Sequence, residues 1–180
     1  MAVENDYEGV ATRFGVIARR YCAIVEAAAT IGKTEFLLEL YRILPELVLE
    51  AIRLPDIDSD AAEEDDPKNV PPILQRPAMS DGEWGLLYGL LKEKFGDSTL
   101  YWTVFDPLKN DEAIPGSLAD DVADVYRDLL EGVSLIDKYA ANTEAIWEWR
   151  FGFHSHWGDH AISALRTIHW LLRDKFTGLE

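Results

Sequence analysis

The chain has 180 residues, 48% of them hydrophobic, with a net charge of −16 and a pI near 4.5. That field repels phosphate backbones and anionic headgroups, so no nucleic acid and no membrane surface is expected as a partner, while a basic protein would suit it. No apolar run of 18 residues is present to span a bilayer, and the single cysteine, Cys22, rules out an internal disulfide.

The expected compartment is the cytoplasm. The opening MAVENDYEG has neither the basic region nor the apolar core of a signal peptide, and a lone thiol suits a reducing environment. The length suits a single helical domain over residues 1–180.

Asn5 or Asp6 is placed to cap a first helix from about Tyr7 to Ala29. Val10, Phe14, Ile17, Tyr21, Val25 and Ala28 recur every three or four residues and predict one buried face, with Cys22 a packed thiol on it. After a short loop, Thr34 is the expected cap of a second helix to about Ile52. Its inward set is Phe36, Leu37, Leu40, Leu44, Leu47, Val48 and Ile52, and Pro45 should kink or split it. The triplet Gly32-Lys33-Thr34 is not a phosphate-binding loop, because Ala27 stands where the earlier glycine is needed and a helix precedes it instead of a strand.

Residues 55–78 form an acidic, proline-rich loop with five prolines, and seven acids lie between Asp56 and Asp66. Such a stretch buries too little apolar surface to fold alone. Asp56, Asp58 and Asp60 imitate the start of a calcium loop, but Ala61 and Pro67 occupy the glycine and glutamate positions, so no calcium site is expected. Ser80 and Glu83 make a capping box for a third helix to about Phe95, with Trp84, Leu87, Tyr88, Leu91 and Phe95 inward and Gly96 as the stop. The segment from Leu100 to Gly116 is too apolar for a free loop, and Pro107 and Pro115 forbid a long helix. It reads as a packed irregular segment or short helical turn whose aromatics could also line a partner groove.

Ser117 and Asp120 predict the start of a fourth helix to about Tyr139, striped by Leu118, Val122, Val125, Leu129, Val133 and Ile136. The linker of residues 140–142 is short, so the fourth helix and the C-terminal helix should form an antiparallel hairpin. The stretch 142–176 carries four of the six tryptophans and all four histidines. On a helical wheel its apolar arc is about 220° wide, against ≳100° for an ordinary surface helix. The expectation is an all-α bundle of about five mostly antiparallel helices with this long C-terminal helix central. Gly152 and Gly158 either admit a close neighbour or break the stretch in two.

Three segments, YWTVFDP from Tyr101, SLADDVADVYRDLLEG from Ser117 and AIWEWRFGFHSHWGDHAISALR from Ala145, resemble a bacterial family known as domain of unknown function 5063. The likeness is clear over about the C-terminal 80 residues. It implies a single bacterial helical domain with no assigned activity, and no catalytic residues carry over.

The chemistry-bearing residues are few. His156 and His160 are four apart, a spacing that can hold one metal with a carboxylate from another helix, Asp121, Asp124 or Asp128. His154 and His169 point elsewhere on the wheel. The plainer reading prefers histidines hydrogen-bonded in an aromatic core, with no metal and no cofactor. Asp124 and Asp128 read as exposed acids beside Arg127 before they read as an acid–base pair. No nucleophile with an adjacent base is visible. The function expected first is therefore a protein-interaction or regulatory module. The alternative is an enzyme or a small-molecule or metal binder with a pocket near His156, His160 and the acids of the fourth helix. Partner, substrate and oligomeric state are not legible in the sequence.

Overall fold

Asp6 starts the first helix, its carboxylate accepting the Gly9 amide at 2.9 Å. The computed structural model describes residues 6–58, 78–104 and 106–177. Helix α1 (Tyr7–Glu26) ends in a 3-10 turn at Ala27–Ala29, matching the expected span. Helix α2 (Lys33–Ile52) has the extended backbone of Gly32 at its N-cap, two residues earlier than Thr34 and without a side-chain cap bond. The helix is continuous through Pro45, which lies on the exposed face. There the carbonyl that loses its donor can be met by water, while the buried Leu44 and Leu47 anchor both sides. Ile52 is exposed, and Ala51 takes the inward position.

Of the acidic loop, residues 59–77 lie outside the described residues, including Asp60 of the calcium-like triplet. At its borders Asp56 accepts from Arg150 at 3.2 Å, and the Ala78 amide donates to Glu131 at 2.6 Å. Helix α3 (Asp81–Phe95) opens on the Ser80–Glu83 box and stops at Gly96, whose φ of +55° favours glycine.

The segment expected as irregular contains an antiparallel β-hairpin, β1 (Leu100–Thr103) against β2 (Ile114–Ser117). Alternation explains it: Tyr101 and Thr103 turn toward the helices, while Leu100 and Trp102 face out, Trp102 being 70% exposed. The run that read as too apolar to be free is thus packed on one side only.

Helix α4 (Leu118–Tyr139) follows β2 without a loop, its first turn capped by the Ser117 hydroxyl. It packs on α1, α3 and the two C-terminal helices. Those are α5 (Asn142–Ser155) and α6 (Trp157–Thr177), so the 142–176 stretch is two helices with a break at His156. The cause is local. The tight turn brings the Phe153 carbonyl over residue 158, where a Cβ would fall 2.1 Å from that oxygen, so only glycine fits. Helix α6 lies against α2, α4 and α5, in the interior as the wheel implied. Phe151, an apolar residue of this stretch, is exposed and stacks on Trp147.

The centre of the core is aromatic. Phe14 of α1 meets Trp149 at 4.7 Å between ring centroids and Trp157 at 6.4 Å. Both indoles are fully buried, and each finds an acceptor: Trp149 donates to the Leu129 carbonyl and Trp157 to the Trp149 carbonyl, both at 3.0 Å. Buried indole N–H groups without partners would be costly. Among the described residues no helix is long and apolar enough to cross a membrane.

Candidate metal centre

Helix α4 carries Asp120, Asp121, Asp124 and Asp128. At 100° per residue, Asp120, Asp124 and Asp128 climb one face and Asp121 stands beside it. Asp124, which the sequence suggested as an exposed acid, is only 6% exposed, and Asp121 beside it is 4% exposed. Burying a carboxylate is tolerated only when it is hydrogen-bonded. Trp84 Nε1 and Arg127 Nη2 both donate to Asp124 Oδ1 at 2.9 Å, and the Tyr101 hydroxyl donates to Asp121 Oδ2 at 2.7 Å. Helix α3 and the hairpin therefore hold these acids in place, a role for Trp84 and Tyr101 that sequence spacing did not reveal.

The break at His156 turns the α5–α6 junction onto this face. His156 Nδ1 is 2.8 Å from Asp128 Oδ2, and His160 Nδ1 is 2.9 Å from Asp121 Oδ1. Both histidines are hydrogen-bonded as expected, yet to carboxylates of α4, not within the aromatic core. An imidazole that donates from Nδ1 keeps the Nε2 lone pair free. His160 Nε2 lies 3.7 Å from Asp124 Oδ2, the oxygen that Trp84 and Arg127 leave unused. One donor atom each from Asp124, His156 and His160 fall within 4.8 Å of one another. The structure thus brings together His156, His160 and Asp124, with Asp121 and Asp128 behind the rings. His154 turns away to accept from Arg150, and His169 pairs with the Tyr41 hydroxyl.

The electrostatics follow from crowding acids around few cations. The bond to Asp121 raises the His160 pKa above its ordinary value, against burial that lowers it. Burial raises the pKa of Asp121 despite its bonds to His160 and Tyr101. Burial, and then the charge of Asp124, raise that of Asp120. Asp120 is the acid that the sequence had placed only at the helix start. Its carboxylate receives no hydrogen bond from a described residue.

The Asp128–His156 pair forms one end of a groove of about 390 Å³ between α4 and α5, bounded by Met79, Asp81 and Arg127 and, farther along, by Glu131, Glu148 and Phe151. Glu148, which sequence reasoning passed over, has its pKa pushed up to about 7 by burial and by Glu131, Asp128 and Glu144. The His156 ring is 42% exposed and the His160 ring 24%, so the cluster is closed on the α4 side and open at His156.

A family model described as a domain of unknown function (DUF5063) matches residues 5–174, and the chain belongs to that family. The fold resembles the crystal structure of protein BF1032 from Bacteroides fragilis, with a TM-score of 0.69 at 20% identity over 87% of each chain. That likeness concerns the fold alone. No curated protein matches the chain.

Proposed function

We propose that this DUF5063 protein binds a divalent transition metal, zinc first, through Asp124, His156 and His160. The observation that carries the reading is the pair of histidines whose Nδ1 atoms are each held by a separate carboxylate of α4. A carboxylate behind a histidine fixes its tautomer, orients the ring and raises its basicity, as metal centres require. The third ligand is oriented too, since Trp84 and Arg127 occupy one oxygen of Asp124 and leave the other. Tetrahedral zinc places its donors about 3.4 Å apart, given bonds of about 2.0–2.1 Å, so shifts of about 1 Å gather the set. Among the described residues, Arg127 is the guanidinium paired with these aspartates, through Asp124, and a dication offsets the remaining excess of negative charge. Two histidines and one carboxylate also suit iron(II), so softness alone does not choose the metal.

Elemental analysis of untagged protein is the test, with melting curves in the presence and absence of a chelator. About one zinc per chain, lost in His160→Ala, and a chelator-induced drop in Tm are expected. Metal-free protein with an unmoved Tm after incubation with excess zinc would sink the reading.

A second reading, an interaction module, is favoured by a different place. Leu100 and Trp102 of the hairpin are 66% and 70% exposed and border, with Trp170 of α6, a cleft of about 370 Å³. Exposed aromatics around a cleft are a common mark of recognition. Trp102→Ser should leave stability within about 0.5 kcal/mol of wild type while abolishing retention of any protein captured on the wild-type chain. Retention unchanged in that variant would remove this reading.

A further inference from the structure

We propose that the metal centre is hydrolytic, with Asp120 as its catalytic base, and that it cleaves ester or amide bonds in neutral or cationic substrates. This rests on the metal reading above. Three protein ligands leave tetrahedral zinc one position for water, the arrangement of catalytic as opposed to structural sites. That position has one direction in which to open. Asp121 and Asp124 close the α4 side, whereas His156 is exposed at the end of the groove.

Asp120 is the spare acid of the four. Asp121 is engaged by Tyr101 and His160, Asp124 by Trp84 and Arg127, and Asp128 by His156. Asp120 sits one turn before Asp124 on the same face, half-buried, and its carboxylate accepts nothing from a described residue. One helical turn from Asp124, it stands next to the convergent donor atoms of Asp124, His156 and His160 and is not one of them. A base beside the metal but not bound to it can receive a proton from metal-bound water.

The step balances without an oxidant. Water in the open position gives one proton to the Asp120 carboxylate, and the hydroxide forms a bond to the carbonyl carbon. The carbonyl carbon's bond to oxygen or nitrogen then breaks, and the proton on Asp120 passes to the leaving group. The products are a carboxylic acid and an alcohol or amine. The charge of the groove selects the substrate: among the described residues that line it, Asp81, Asp128, Glu131 and Glu148 outnumber Arg127, a field that repels phosphate esters and favours neutral or positive groups. An iron oxygenase reading would need a reductant that these residues do not supply.

Zinc-loaded full-length protein tested on 4-nitrophenyl acetate and 4-nitrophenyl phosphate decides the matter. Nitrophenol release from the acetate is expected, abolished by chelator and restored by zinc, with none from the phosphate. Asp120→Asn should keep one zinc at unchanged affinity and lose about 100-fold or more in rate, with part regained in Asp120→Glu. If wild-type protein takes up no zinc, the metal reading falls and this inference with it. Zinc bound without ester hydrolysis would overturn the inference alone. So would phosphate cleaved in preference, an undiminished rate in Asp120→Asn, or loss of zinc in that variant, which would make Asp120 a ligand. Preferential iron(II) uptake with oxygen consumption would also overturn it.

Discussion

His156 Nδ1 sits 2.8 Å from Asp128 Oδ2, so the residue at which the C-terminal stretch breaks is tied to the helix it folds back on. The bond can be removed at Asp128, which is not itself a proposed ligand. Asp128→Ala should weaken zinc binding about 10–100-fold, the usual effect of losing a carboxylate behind a ligating histidine, while stoichiometry stays at one. Competition against a chromophoric chelator measures this. Asp137→Ala, which removes the surface partner of Arg19, is the control and should leave affinity unchanged. Equal affinities in wild type and Asp128→Ala would deny the pair any role at the metal.

Gly132 faces Trp149 so closely that a Cβ there would fall 2.3 Å from the indole nitrogen. That nitrogen donates to the Leu129 carbonyl, and the ring is fully buried, so it has no free direction of retreat. Gly132→Ala should therefore destabilise the fold by about 1–3 kcal/mol through overpacking, despite the better helix propensity of alanine. Urea denaturation is the measurement. A stabilised variant would mean that α4 and α5 can separate at little cost.

Trp157 belongs to the tryptophan-rich stretch that the helical wheel placed at the centre, and its burial is complete. Trp157→Ala should cost about 3–5 kcal/mol, since transfer energy and packing are both lost and the Trp149 carbonyl loses a donor. Trp157→Phe keeps most of the apolar area and should cost less. A loss below about 1 kcal/mol in the alanine variant would contradict the packing around Phe14 and Trp149.

The capped helices were readable because their signals are local: Ser80–Glu83 and Ser117–Asp120 need only neighbours in sequence. The hairpin was not, because its strands are four residues long and joined by ten, and strand alternation so brief resembles irregular chain. The His156–His160 pair was found by spacing on a continuous wheel, yet the helix is broken at His156 itself. They meet, ring centroids 4.9 Å apart, because the turn brings them together. Burial of Asp121 and Asp124 was hidden for a related reason. Their partners Tyr101 and Trp84 lie 20 and 40 residues away, and charge pattern alone placed Asp124 in solvent.

Glu148 supplies the last prediction, in stability against pH. Burial, then Glu131, Asp128 and Glu144, push its pKa up to about 7 in the fold from an ordinary value of 4.5. A carboxyl raised in this way binds its proton more tightly in the folded state than in the unfolded one. Below about pH 4.5 both states are protonated and the group is neutral in its effect. Between about 4.5 and 7 the unfolded state releases the proton first, so stability falls as pH rises, and above 7 the full cost remains. A shift of this size sets an upper bound of about 3 kcal/mol, which partial exposure reduces to about 1–2 kcal/mol. Glu148→Gln keeps the shape and removes the charge. It should be about 1–2 kcal/mol more stable than wild type at pH 8 and nearly equal at pH 4.5, read from urea melts at the two values. A gain that is the same at both pH values would place the effect in packing and not in the charge of Glu148.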